Sequence, residues 1–251
     1  LNVRTLEVAL RWSSIPLLLM IWEVTSRSGV VNAVLFPPPS LVALAGLEYL
    51  RSGLMVQDLM WSLSRVAVGF VVGGVAGSLV GVLTGSSQLV SAVLSPIFQM
   101  LRPIPPIAFV PIVIVWFGLS ETGKWFLVFW GVFFTVWLSA HLGVQRIDET
   151  LLRAARCLGT PRRRMLLDVL MPASLPYIFM GLRTAISVSF YTLVAAELAG
   201  AFAGIAYRLD VTQQNMQIDR MMFGLILLGL ISAITDRIFG WLTQRIVRWN
   251  H

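Results

Sequence analysis

Apolar residues fall in about six long blocks along this chain, near positions 10–30, 59–85, 91–117, 124–144, 177–199 and 221–243, and polar residues gather between them. A helix that crosses a bilayer needs roughly 20 mostly apolar residues, so each block has the length of a membrane span. The first is the most diluted, because Pro16, Glu23 and Arg27 fall inside it. The pattern predicts an all-α integral membrane protein with five to six transmembrane helices, organised as one transmembrane domain over residues 1–251. Between the first two blocks, "LFPPPSLVALAGLEYL" reads as a proline-stiffened turn and then a short amphipathic helix on the outer surface, with Ser40 as its N-cap.

Two blocks carry a finer pattern. In the second, Gly69, Gly73, Gly77, Gly81 and Gly85 recur every four residues. This leaves a groove without side chains in which another helix can approach closely, a packing role in which a seam with a second copy is one case. The third block is interrupted by "LRPIPPIAFVPI", where Pro103, Pro105, Pro106 and Pro111 each remove a backbone donor. The freed carbonyls cannot face lipid, so this stretch is expected to lie against protein or a water-filled cavity. Arg102, beside the break, strengthens that expectation, because a guanidinium at membrane depth costs at least ~2.5 kcal/mol.

Composition agrees with the pattern. Hydrophobic residues make up 57% and charged residues 12%, whereas soluble domains carry about a quarter charged residues; the mean hydropathy is +0.81. The net charge is +7, nearly all of it on arginine, with Lys124 the single lysine. Arg4 and Arg11, Arg146, Arg153, Arg156, Arg162, Arg163 and Arg164, and Arg245 and Arg248 fall on one side of the predicted topology. Arg51, Lys124, Arg208 and Arg220 fall on the other. That excess places the N-terminus, segment 145–176 and the C-terminus inside. No basic stripe with interleaved aromatics suggests nucleic acid. A lone cysteine, Cys157, forms no intrachain disulfide, and two histidines, His141 and His251, are too few for a multi-histidine metal site. Nor do His141 and Cys157 form a nucleophilic pair, since no third orienting residue accompanies them. The first block lacks a small-residue cleavage pattern and reads as a span that stays. No Walker-type glycine-lysine loop occurs, so the chain is expected to be non-catalytic and to bind no cofactor itself.

Inside the spans after the first, the charges away from the ends or of functional interest are Arg65, Arg102, Arg183, Glu197, Asp236 and Arg237. Arg65 and Arg183 are near enough to helix starts to snorkel, and Asp236 and Arg237 sit near the inner end of the last span. This leaves Arg102, with Pro103 and Pro105, and Glu197 as substrate-pathway candidates. Arg102 either attracts an anion or pairs with Glu197 to hold the pathway shut, and both readings put it at the pathway. Trp116, Trp125, Trp130 and Trp137 suit either interfacial anchors or an aromatic gate.

The most basic stretch is "RAARCLGTPRRRMLLDVLMPASLP", residues 153–176. Asp148 is a plausible N-cap for a short helix with Glu149 in its first turn. Gly159 stops that helix, and Thr160 and Pro161 restart a second one. Pro172 and Pro176 then stiffen the return into the fifth span. On spacing alone the elbow is a docking lever, a solvated basic loop, or a patch for anionic lipid.

A resemblance separates these readings. Ala154, Ala155, Gly159 and Pro172 resemble the "EAA" coupling motif of binding-protein-dependent ABC importer permeases. "SPIFQMLRPIPPIAFVPIVIVWFGLSETGKW" (95–125), "LPYIFMGLRTAIS" (175–187) and "AAELAG" (195–200) are similar to the branch that imports nitrate, sulfonates, taurine and related small anions, from about residue 35 to 248. The resemblance implies a type I ABC importer permease fold with 145–176 as its cytoplasmic coupling loop, multi-pass in the bacterial inner membrane. Arg153, Ala154, Ala155, Gly159, Thr160, Pro161 and Pro172 would make the ATPase coupling site. It further implies a homodimer, two cytoplasmic ATPase subunits that hold ATP and Mg, and a periplasmic or lipid-anchored substrate-binding protein. A small organic or inorganic anion, such as nitrate, a sulfonate, taurine or bicarbonate, would cross by alternating access. Arg153 departs from the motif's usual glutamate; Glu149, one turn earlier, or an acidic residue on the partner would compensate. The competing function is an autonomous channel or secondary transporter, which would need no ATPase.

Overall fold

A computed structural model describes the backbone of residues 3–246 and the side chains from Ser13 to Arg245, Arg162 excepted. The termini with Arg4, Arg11, Arg248 and His251 lie outside the described side chains. The helices in chain order are α1 (Val3–Arg27), α2 (Pro39–Arg51), α3 (Leu54–Ser86), α4 (Gln88–Leu101), α5 (Val110–Phe117), α6 (Glu121–Gln145), α7 (Glu149–Cys157), α8 (Arg162–Arg164), α9 (Met171–Leu198), α10 (Ile205–Gln214) and α11 (Ile218–Ile246). Among the described residues four are long and apolar enough to cross a membrane: Leu54–Ser86, Glu121–Gln145, Met165–Leu198 and Ile218–Arg245. The pair Gln88–Leu101 and Pro106–Phe117, bent by 87°, makes a fifth if it crosses as one span. The break falls at the prolines. The expected first span is one 25-residue helix, Val3–Arg27.

α6 is the centre of the bundle. The α3 glycines lie against one face of it: a Cβ on Gly69 would fall 2.5 Å from Val128 Cβ, on Gly73 3.0 Å from Val132 Cβ, and on Gly81 2.5 Å from Ala140 Cβ. On Gly77 it would fall 2.7 Å from the Phe133 carbonyl, and on Gly85 2.7 Å from Val144 Cβ. Partners on α6 advance by four as the glycines advance by four, so α3 and α6 run parallel in constant register. Parallel neighbours require a crossing between them, and the bent pair α4–α5 is that crossing. On a neighbouring face α9 runs antiparallel: Gly181 meets Ser139, Gly143 meets Tyr177, and Gly131 meets Thr192 and Val188, while Leu182 of α9 also reaches Gly74 of α3. α11 packs on α9, sharing a buried cluster of Val66, Ile186, Phe190, Leu193, Leu227 and Leu228 with α3.

Two expected local features differ. Ser40 is not the N-cap of α2; Pro38 holds that position and Pro39 the first turn. Ser40 instead donates from its backbone N–H (3.1 Å) and its hydroxyl (2.8 Å) to Glu23, tying α2 to α1. The second short helix of the basic segment is not separate either. From Arg162 it continues through a π turn, Met165–Leu170, into α9. Pro172 cannot donate to the carbonyl four residues back, and the widened turn, in which the Met171 N–H reaches the Leu166 carbonyl, lets the helix pass the defect.

Candidate functional site

Because α6 ends and α9 begins on the same side, residues 146–170 project together from one end of the bundle. Asp148 caps α7, accepting from the Thr150 N–H at 2.8 Å, and that donor holds its carboxyl below the usual range. The helix ends in a Schellman turn: the Gly159 N–H bonds the Arg156 carbonyl (2.9 Å) and the Thr160 N–H bonds the Ala155 carbonyl (3.2 Å). Gly159 sits at φ +70°, with nothing within 4 Å of the place a Cβ would occupy. The elbow is thus rigid by backbone geometry and open around its glycine. Leu158, at its tip, is 85% exposed. Ala155 is buried while Ala154 is exposed, so Ala154 alone offers a small outward surface. Arg153 pairs with Glu149 at 2.5 Å, neutralising within α7 the charge that departs from the motif.

Beside the elbow lies an open cavity of about 1360 Å³ between α4 and α7, lined by Gln88, Ser91, Ser95 and Gln99 on one side and Glu149 and Arg156 on the other. Thr84 and Gln145 also reach it. Behind them the Trp137 indole donates to Thr84 Oγ1 (3.1 Å), and His141 Nδ1 is 3.0 Å from the same oxygen. Gln145 Nε2 lies 3.1 Å from His141 Nε2. An amide nitrogen only donates, so His141 accepts at Nε2 and carries its proton on Nδ1.

At the break between α4 and α5 a second open cavity, of about 550 Å³, is lined by Arg102, Pro103 and Pro105 together with Trp130, Thr135, Ser139, Thr184 and Tyr191. Arg102 is exposed to it and has no ion-pair partner among the described residues. The expected Arg102–Glu197 pair does not form. Glu197 is fully enclosed and is held by Arg65 Nη1 (2.9 Å), the Ser62 hydroxyl (2.7 Å) and the Ala206 N–H (2.8 Å), which removes it from the pathway surface.

Arg65 does not snorkel; it is 1% exposed. Its Nε and Nη2 reach Glu121 at 2.7 and 2.8 Å, and its Nη1 also donates to the Ala203 carbonyl at 2.6 Å. Lys124 joins Glu121 at 2.9 Å. One turn and more away, Asp58 accepts from the Gly204 N–H (2.9 Å), Arg208 Nε (2.8 Å) and the Tyr49 hydroxyl (2.6 Å). Burial, and then that bond to Asp58, push the Tyr49 phenol upward. Three carboxylates and three cations therefore close a balanced network at the end of the bundle opposite the elbow. Arg183 likewise pairs across helices, with Asp236 at 3.0 Å through both Nε and Nη2.

A family model described as "Binding-protein-dependent transport system inner membrane component" matches residues 73–248. The chain belongs to this permease family. The taurine transport system permease protein TauC of Escherichia coli (strain K12) is 30% identical, over 97% of this chain and 90% of its own length. The bicarbonate transport system permease protein CmpB of Synechococcus elongatus is 34% identical, over 92% of this chain and 86% of its own. Among solved structures, a chain of the inward-facing MetNI methionine ABC transporter superposes with a TM-score of 0.64 at 21% identity, covering 79% of the permease and 96% of that chain. The fold is that of a type I ABC importer permease, and the protein is the permease component of such an importer.

Sequence reasoning about the permease did not find Asp58, Ser62, Glu121 or Arg208, nor the cavity residues Thr135, Ser139, Thr184 and Tyr191. A signal for the first group was present: Asp58, Ser62 and Arg65 fall four and three apart, a polar stripe on an otherwise apolar helix. The hydroxyls had none, because single Ser and Thr residues are ordinary in membrane helices. Of the expected tryptophans, Trp116 is exposed while Trp137 is 1% exposed inside an aromatic cluster with Phe98 and Phe134, so Trp137 is not an interfacial anchor.

Proposed function

We propose that the permease works as a homodimer in the bacterial cytoplasmic membrane, driven by two cytoplasmic ABC ATPase subunits and fed by a periplasmic or lipid-anchored substrate-binding protein. Its cargo is a small anion, a reading that the relatives named for taurine and bicarbonate support. ATP and Mg belong to the ATPase.

The elbow carries the proposal. Leu158 stands out on a turn whose conformation Gly159 fixes, and from Arg162 a continuous helical path leads into α9. A displacement of Leu158 by a closing ATPase pair is therefore delivered to the helix that packs along α6, where the two cavities lie. Arg153, Ala154, Thr160 and Pro161 frame the contact; Ala155 and Pro172 shape the elbow and its return.

Gentle-detergent purification of the tagged chain from its native membrane, followed by mass spectrometry, should yield a near-stoichiometric ATPase. A chain that comes alone under conditions preserving a known complex would support an autonomous channel or gradient-driven transporter instead. Gly159→Glu, whose side chain enters open space but whose φ of +70° strains the turn for any residue other than glycine, should abolish ATP-dependent uptake while leaving membrane insertion intact. Normal uptake in that variant would remove the lever.

A further inference from the structure

The cavity at the α4–α5 break is lined by unlike groups. Its polar lining holds the unpaired Arg102 guanidinium, the Thr135, Ser139 and Thr184 hydroxyls, and Tyr191, a residue 59% exposed whose hydroxyl has no hydrogen-bond partner among the described residues. Ile104, Trp130, Phe134 and Leu138 supply its apolar wall. No aspartate or glutamate lines the space. A guanidinium and an unused hydroxyl cannot rest against hydrocarbon, so this face meets the pathway and the solute that passes along it.

Charge and shape then select a ligand. A lone cation with spare donors and no carboxylate favours an anion and leaves an ammonium unmatched. A volume of about 550 Å³ lies within the range of pockets for organic ligands, about 300–1,000 Å³. A bare inorganic oxyanion would satisfy Arg102 and leave the apolar wall wet. An organic anion with a short carbon body satisfies both sides. We propose that this cavity is a transit site for an organic monoanion, its oxyanion on Arg102 and its carbon body on Ile104, Trp130 and Leu138. The proposal rests on the reading of the protein as an anion importer and narrows its cargo.

The test is equilibrium binding to the permease in nanodiscs, with whatever ATPase co-purifies and without a binding protein. Saturation-transfer NMR of 1-butanesulfonate provides the signal, with methanesulfonate, 1-hexanesulfonate, nitrate, bicarbonate and butylammonium as competitors. Affinity should rise with chain length by up to about fourfold per buried methylene, and nitrate, bicarbonate and butylammonium should displace poorly. Arg102→Gln should weaken butanesulfonate by about tenfold or more, with Arg102→Lys recovering part of the loss. Leu138→Ser should flatten the chain-length series without removing binding of methanesulfonate. Displacement by nitrate at equal concentration, or an Arg102→Gln variant that elutes as a folded species and binds like the wild type, overturns the site even where the ATPase co-purifies. The expected series from a chain that carries no ATPase overturns the importer reading and leaves the site standing.

Discussion

Replacing Arg65 by methionine isolates the central ion of the outer network. The substitution keeps a long, flexible chain in the space but removes four hydrogen bonds: two to Glu121, one to Glu197 and one to the Ala203 carbonyl. Glu121 is 32% exposed on its side chain and can rehydrate, whereas the Glu197 side chain is 0% exposed. The cost is thus concentrated on Glu197, a buried carboxylate stripped of its cation. Breaking a buried pair from one side costs about 3–5 kcal/mol, mostly through the charge left behind. At about 2–4 °C per kcal/mol for a chain of this size, the melting temperature should fall by about 6–20 °C. Fluorescence-detected size exclusion after graded heating in detergent measures it. Glu197→Gln in the same chain removes the stranded charge and keeps one oxygen, for either the Ser62 hydroxyl or the Ala206 N–H, which bond different oxygens of the glutamate. The double variant should recover about half the loss or more, a coupling of about 2 kcal/mol. An Arg65→Met protein that melts within about 3 °C of wild type, or a double variant no more stable than the single one, would refute the assignment of Arg65 as the keystone.

Other outcomes rest on the same geometry. Gly77→Leu and Gly81→Leu drive a side chain into α6 backbone atoms and should prevent a stable fold, while Gly229→Leu, with nothing within 4 Å of its Cβ position, should leave expression and melting near wild type; the three are compared by size exclusion. Thr84→Val strands the Trp137 indole and His141 Nδ1–H and should cost about 1–3 kcal/mol in the same thermal assay. Asp148 has a depressed carboxyl, so the stability it lends α7 is present above the carboxyl's ordinary range and is lost as pH falls through the lowered value. Protection factors of the α7 amides, taken against the intrinsic exchange rate at each pH, should fall on acidification in the wild type, whereas in Asp148→Asn, which keeps a capping oxygen, they should lose that pH dependence.

How far the sequence can be read depends on whether a feature is local. The prolines of 103–111 announce a break because a missing N–H acts on its own turn, and the structure bends there by 87°. Asp148 and Gly159 are legible for the same reason: a cap and a left-handed residue act within one helical turn. The second short helix differs because Thr160 and Pro161 signal a start but carry no signal for where the helix stops, and a π turn takes it past Pro172 into α9. Glu197 shows the opposite case. Its charge is visible in the sequence, yet its partner lies 132 positions away on α3, where the place of Arg65 near a helix start suggests an escape to water that the packing denies it.

Apolar block length, glycine spacing, proline placement and arginine bias are short-range quantities, and from them alone the sequence determined a helical membrane protein with a broken span and a basic elbow on one side. Only the tertiary structure decided that α3 and α6 run parallel, that α6 meets both α3 and α9 through glycines, and that Glu197 belongs to Arg65. That last pairing leaves Arg102 without a counter-ion at a cavity. Ion pairing in a low-dielectric interior is settled by which charges the packing brings within about 3 Å of one another. Sequence distance carries no information about that.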